Sequence, residues 1–150
     1  MSESNSLSHR LAQRFKAIID SFRGDSAHKL VDTAKRRAGT LSLDATKQAY
    51  DAGAVLLDVR EVEEWREGHV ENAVHIPRGM LEFQAPEEGR LRNKDVHVIT
   101  YCTAGARSAL AADRLEQMGW QNVHTLDARY DEWAAAGYPV AYGGYDEEKS

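Results

Sequence analysis

The spacing of hydrophobic positions changes several times along the chain, and each change predicts an element. Leu7, Leu11, Phe15, Ile18, Ile19 and Phe22 fall on one helical face, with Arg10, Arg14, Lys16 and Arg23 on others, so an amphipathic helix is expected there. A second short helix is predicted over residues 26–38, where Leu30, Val31 and Ala34 cluster and Gly39 supplies the stop. "LDATKQAYDAG" (43–53) reads as a helix ended by Gly53, and "AVLLDVR" (54–60) as a strand covered on both faces and closed by Asp58 and Arg60. "EVEEWREG" (61–68) predicts a short helix and "AVHIP" (73–77) a short strand closed by Pro77. Val96, Val98, Ile99 and Tyr101 predict a buried strand, and Ala109, Leu110, Ala111, Ala112, Leu115 and Met118 a helix that ends near Gly119. "NVHTL" (122–126) predicts a last strand, "RYDEWAAAG" (129–137) a helical turn or two, and "YGGYDEEKS" a frayed tail.

Strands that alternate with helices imply an α/β domain with a mainly parallel central sheet and helices on both faces. The 150 residues suffice for one such domain. Residues 41–142 are assigned to it, residues 1–40 to a basic helical N-terminal extension, and residues 143–150 to a flexible tail. Charge supports the first boundary. Residues 1–40 carry 8 Lys and Arg against 4 Asp and Glu, whereas the remainder carries 11 against 20. The apolar stripe of the extension needs a cover, since each large side chain left in water forgoes about 1.5–3 kcal/mol. Its own domain or a second copy can supply one, and a homodimer through residues 1–38 is expected; a basic amphipathic helix can also lie on an anionic membrane or a partner protein. Nucleic acid is not expected, because the body is acidic and no binding motif is present.

A single cysteine excludes an internal disulfide and a Cys-rich metal site, and fits a reducing compartment. His69 and His75 lack further suitably spaced ligands, so neither a metal nor another cofactor is expected. With no apolar run of about 18 residues and no leader pattern, a soluble cytoplasmic protein without a transmembrane segment is expected.

The chemistry concentrates in "YCTAGARS" (101–108). Cys102 ends a predicted strand and a helix follows, so loop N–H groups and the helix dipole favour negative charge beside the sulfur and its thiolate form. Arg107 adds a positive charge. Two readings stand: a buried structural cysteine, or a nucleophile in an anion-binding loop. Gly105, Arg107 and Ser108 favour the second.

Asp58-Val59-Arg60, Glu64-Trp65 with Gly68-His69, Asn72-Ala73 before Ile76-Pro77, the Cys102–Ser108 loop, Gly119-Trp120 with Asn122-Val123, and Trp133 before Gly137-Tyr138-Pro139 occur in order. Together they resemble a single rhodanese homology domain over roughly residues 41–140, and the extension lies outside that resemblance. The resemblance implies a sulfurtransferase in which Cys102 takes the outer sulfur of a donor such as thiosulfate, keeps it as a persulfide, and passes it to a thiophilic acceptor such as cyanide, a thiol or a carrier protein. The backbone N–H groups of Thr103, Ala104, Gly105, Ala106 and Arg107 are then expected to curl around the sulfur, with Gly105 permitting the curl. The Arg107 side chain either attracts the sulfonate end of the donor or braces the loop, and Ser108 braces the helix start. Asp58 and Arg60 are expected to hold the strand end, Glu64 to pair with Arg60 or line the mouth, and Trp65, Trp120 and Trp133 to pack.

Two alternatives accompany that reading. One is a non-catalytic or regulatory module of the same family that binds a protein partner, although such modules commonly lack the cysteine. The other is a phosphatase or arsenate reductase; those relatives place five residues between Cys and Arg, and the four here form a smaller cradle suited to one sulfur. One departure from the family is the pair Ala128-Arg129, where many members have two glycines. Arg129 is either a donor-recruiting charge at the site or a surface charge.

Overall fold

The structure, a computed structural model, describes residues 7–15 and 25–144. They divide into two compact units between Thr33 and Ala34. The first contains helix α1 (residues 7–15) and the start of α2 (Asp25–Ala38). Leu7, Leu11 and Phe15 are exposed on α1, and Ile18, Ile19 and Phe22 of the expected stripe lie outside the described residues. No helix among the described residues is long and apolar enough to cross a membrane.

In the second unit, α2 ends at Gly39, whose φ of 84° is the left-handed turn that glycine takes without strain. Strand β1 (Thr40–Leu41) follows, then α3 (Leu43–Asp51), capped by the Ser42 hydroxyl, which accepts from Ala45 N–H at 3.1 Å. The chain continues through β2 (Val55–Asp58), α4 (Val62–Glu67), β3 (His69–Val70), β4 (Val74–His75) and α5 (Leu81–Gln84). It closes with β5 (Val98–Tyr101), α6 (Ala106–Gln117), β6 (Val123–Leu126), α7 (Tyr130–Ala135) and β7 (Val140–Ala141). The helices and strands expected between residues 26 and 137 all form, with ends shifted by a few residues.

Five strands make one parallel sheet in the order β1-β6-β5-β2-β4. From β2 the chain steps outward to β4, returns across β2 to β5, and continues to β6. The winding direction therefore reverses between β2 and β5, and the crevice at their carboxyl ends is where open α/β sheets bind ligands. The register pairs Asp58 with Tyr101, so the segment after β2 and the loop that starts at Cys102 leave the sheet side by side.

Alternation along the strands builds a core on each face. Val55, Leu57 and Val98 point to one side with Leu81, Leu115 and Trp120; Leu56, Ile99, Tyr101 and Leu126 point to the other with Trp133. Every residue of β2 and β5 is buried, as a strand covered on both faces requires. Each fully buried large apolar side chain contributes about 1.5–3 kcal/mol. Trp65 is sandwiched between two histidines, His69 at a centroid distance of 3.3 Å and His75 at 4.8 Å. Trp120 and Trp133 donate their indole N–H groups to the carbonyls of Leu91 and Pro139. A separate antiparallel pair, β3 with β7, brings the C-terminal segment back to Gly68 and His69.

Among the described residues, one ion pair is buried in the core. Arg60 forks onto Asp58 at 2.8–3.1 Å, with side-chain exposures of 5% and 0%. The guanidinium also donates to the Gly68 carbonyl at 2.6 Å and lies over the Tyr130 ring at 4.4 Å. Removing one partner strands a buried charge, which costs about 3–5 kcal/mol, far more than an exposed pair would. Asp58→Ala is therefore expected to lose about 3–5 kcal/mol in urea unfolding, and Asp58→Ala combined with Arg60→Met to recover part of it. A single variant within about 0.5 kcal/mol of wild type would show that the pair does not hold this end of the sheet.

Candidate active site

Cys102 is the first residue beyond β5 and is 2% exposed. Burial alone suits a structural thiol. The contacts of the sulfur do not, because a cysteine that merely fills an apolar core needs no donor aimed at it. The Gly105 N–H donates to Sγ at 3.0 Å, and the thiol itself reaches the Ser108 hydroxyl at 3.3 Å. That hydroxyl donates in turn to the Gly105 carbonyl at 3.2 Å, while the Thr100 hydroxyl donates to the Ser108 carbonyl at 2.7 Å. Ser108 thus ties the loop to the first turn of α6, as a brace.

Gly105 makes the loop possible. It precedes the first residue of α6 with φ 103° and ψ −10°, a left-handed conformation that folds the chain back over the sulfur and sends it into the helix. Ala104 and Ala106 are exposed on the rim, Gly105 is buried, and Thr103 and Arg107 are half-buried. Residues 102–107 therefore form one cup, with Cys102 at its base.

The side chain of Arg107 is committed to Glu64. Its two terminal nitrogens contact the two carboxylate oxygens at 2.7 and 3.0 Å, and the Thr103 hydroxyl donates to the same carboxylate at 2.7 Å. Glu64 therefore pairs with Arg107, and the pairing with Arg60 considered from the sequence does not form. Glu64 also accepts from the Glu61 N–H at 3.1 Å, closing a capping box at the start of α4. The hydrogen bonds from Arg107, Thr103 and Glu61 outweigh partial burial and hold its carboxyl at about 2, below its ordinary 4.5. Arg107 is pushed upward, first by the bond to Glu64, with the nearby Cys102 also contributing. The residues between Asp58 and Arg107 thus form a continuous set: Asp58–Arg60 grips Gly68 at the end of α4, and Glu64 near its start grips the cysteine loop.

Beside the loop lies an open cleft of about 330 Å³ whose walls include Arg60, Glu64, Glu67, Thr103, Tyr130 and Asp131. Ala128 packs against the buried core, and Arg129 immediately precedes α7, its guanidinium 3.8 Å from Asp131. From this segment, the cleft wall receives the two residues after Arg129, Tyr130 and Asp131. Gly68 closes the far side, where an added Cβ would meet the Tyr130 hydroxyl at 2.8 Å. His69 and His75 each stack on Trp65 and bond a backbone carbonyl, of Trp65 and of Arg60. Among the described residues, no three His, Cys, Asp or Glu side chains are grouped to hold a metal ion.

The depressed Glu64 carboxyl has a consequence in acid. A folded-state value below the ordinary one contributes stability that is complete above about 4.5 and is lost as pH falls toward about 2. Thermal midpoints of wild type and Glu64→Gln, measured from pH 6 to pH 2, are expected to converge across that window. Curves that stay parallel would remove Glu64 from the acid response.

Comparison with known proteins places this geometry in a family. The family model described as the rhodanese-like domain matches residues 42–136. Rhodanese-like domain-containing protein 17 of Arabidopsis thaliana is 32% identical over 111 residues, covering 67% of this chain and 71% of its own. A Bacillus subtilis (strain 168) protein named as a sulfur carrier is 36% identical over 95 residues, covering 62% of this chain; the chain spans only 49% of that relative's length. Among solved structures, a protein of unknown function from Rhodopseudomonas palustris CGA009, described as a possible tyrosine phosphatase, matches with a TM-score of 0.70 and 28% identity over 77% of this chain and 94% of its own. The thiosulfate sulfurtransferase of Pseudomonas aeruginosa matches with a TM-score of 0.61 and 25% identity over 70% of this chain and 20% of its own. The sheet, the family model and these relatives agree: the chain belongs to the rhodanese-like domain family.

Proposed function

We propose that the protein is a sulfurtransferase that takes a sulfane sulfur from a donor such as thiosulfate onto Cys102 and passes it to a thiophilic acceptor, which is cyanide, a thiol or a carrier protein. The observation that carries this reading is the N–H of left-handed Gly105 donating to Sγ at 3.0 Å in a loop that closes over the sulfur. In the first half-reaction the Cys102 thiolate attacks the outer sulfur of thiosulfate. A new S–S bond forms, the old one breaks, and sulfite leaves with the electron pair. In the second, the acceptor attacks the outer sulfur of the persulfide and Cys102 leaves as thiolate. Covalent storage divides one transfer into two easier steps.

The remaining residues serve that cycle. The backbone from Thr103 through Ala104, Gly105 and Ala106 to Arg107 forms the cradle for the persulfide charge. Arg107 takes the bracing role, since its guanidinium is spent on Glu64. Ser108 holds the loop on α6, and Asp58 with Arg60 holds the strand end beside it. A thiol used in this way suits a reducing compartment such as the cytoplasm.

Intact mass after incubation with thiosulfate tests the reading. Wild type is expected to gain one sulfur atom, which cyanide removes, and Cys102→Ser to gain none, because a hydroxyl neither attacks sulfur effectively nor holds it. An unmodified wild type under conditions where an active rhodanese is loaded would favour the binding-module alternative.

The extension is assigned to self-association. Leu7, Leu11 and Phe15 expose 52–69% of their surface on a basic arm that joins an acidic body. Two such stripes meeting about a two-fold axis bury each other, with basic flanks near the partner's acidic surface. Sedimentation of the full chain is expected to give a dimer and of residues 34–150, the second compact unit, a monomer. A full-length monomer excludes the assignment.

A further inference from the structure

On the sulfurtransferase reading, we infer that Glu64 sets the charge of the donor that the site accepts. By holding Arg107 in a two-point ion pair, it withdraws the cation beside Cys102 from substrate binding, and so turns the site against dianionic donors and toward those of lower negative charge.

The orientation of Glu64 is over-determined. Arg107 supplies two contacts to it, the Thr103 hydroxyl a third and the Glu61 N–H a fourth, so both oxygens are engaged from three directions. Its low pKa keeps it charged at any pH where a thiolate could act. Arg60, the cation that lines the cleft, is equally committed: it is neutralised by Asp58, capped by the Gly68 carbonyl and covered by Tyr130. Two further carboxylates, Glu67 and Asp131, stand on the cleft wall, and Asp131 makes a long, exposed contact to Arg129 at 3.8 Å. A donor that approaches the loop through this cleft therefore meets a wall whose cation, Arg60, is paired and whose other charged groups, Glu64, Glu67 and Asp131, are carboxylates. Each negative charge on the donor is repelled, and the repulsion scales with that charge.

Two donors of different charge but the same chemistry isolate the effect. Thiosulfate is a dianion and releases sulfite; methanethiosulfonate is a monoanion and releases methanesulfinate. In both, the Cys102 thiolate forms a bond to the terminal sulfur, the S–S bond to the oxidised sulfur breaks, and that group leaves with the electron pair. The readout is the second-order rate of persulfide formation by quenched intact mass, for wild type, Glu64→Gln and Glu64→Asp. Glu64→Gln frees Arg107, and its rate is expected to rise about 10-fold with thiosulfate but only about 3-fold with methanethiosulfonate, since the logarithm of the gain follows donor charge. Glu64→Asp retains the carboxylate and is expected to keep the wild-type ratio between donors. In wild type alone, added salt is expected to accelerate thiosulfate more than methanethiosulfonate, because screening relieves repulsion. Equal changes with both donors in Glu64→Gln, or a thiosulfate rate in wild type that falls with salt, would overturn the inference. The salt series decides even if Glu64→Gln does not fold. Wild type that accepts sulfur from neither donor would instead overturn the sulfurtransferase reading itself.

Discussion

The organisation of this molecule depends on the burial of one ion pair at the point where the sheet reverses its winding. Asp58 is fully buried at the end of β2, and Arg60, two residues on, folds back onto it. A carboxylate and a guanidinium taken out of water are tolerable only when their remaining hydrogen-bonding positions are filled. Filling them recruits distant chain: the Gly68 carbonyl accepts from Arg60, and Tyr130 covers the planar face. The ends of β2 and α4 and the start of α7 are thereby held together at the carboxyl edge of the sheet. Because α4 is gripped at its C-terminal end, Glu64 near its N-terminal end arrives at a defined place, where Arg107 and Thr103 meet it. The cysteine loop is thus held from both sides, through α6 by Ser108 and through α4 by Glu64.

This arrangement separates two tasks that a cationic loop could otherwise confound. Stabilising a small anion on sulfur requires donors close to the sulfur, and a main-chain N–H, that of Gly105, stands at that distance without mobile charge. Holding the loop in shape requires strong, directional contacts, which the Arg107–Glu64 fork provides. With the side-chain charges satisfying one another, the local field at Cys102 comes mainly from the backbone and the start of α6. An arginine close to a reactive sulfur is therefore not by itself a substrate-binding arginine; what the guanidinium already contacts decides its role.

The sequence revealed what is local and concealed what is not. β2 and β5 were legible because continuous apolar runs in short segments signal strands buried on both faces, and α6 because its apolar positions repeat at helical spacing. The loop was legible because all of its parts are consecutive. By contrast, β1, β3 and β7 are two residues long, too short for any periodicity to register. Residues 78–91 form only short turns of helix, and no sustained period marks them. Glu64 and Arg107 lie 43 positions apart, and no spacing in one sequence predicts that they meet. Arg60 was the plausible partner for Glu64 by proximity, but the nearer and fully buried Asp58 takes it. The His97–His124 contact at 2.9 Å is invisible in the sequence for the same reason of separation, since adjacent strands create it.

Fold similarity leaves the chemistry of the cup open, and the loop itself narrows it. A structure described as a possible tyrosine phosphatase and a thiosulfate sulfurtransferase both superimpose on this chain, as expected where one scaffold hosts several reactions. The difference must lie in what fits at the end of β5. Four residues separate Cys102 from Arg107, and within that span Gly105 turns back far enough for its N–H to reach Sγ itself. The loop closes on the sulfur, with the Gly105 N–H 3.0 Å from Sγ, and an arginine bound to Glu64 is not extended toward a tetrahedral dianion. A phosphoryl group requires both the wider ring and the free guanidinium fork. A single added sulfur atom requires neither, only a nearby N–H donor and a braced loop, and the Glu64–Arg107 pair, with Asp58–Arg60 behind it, supplies the brace.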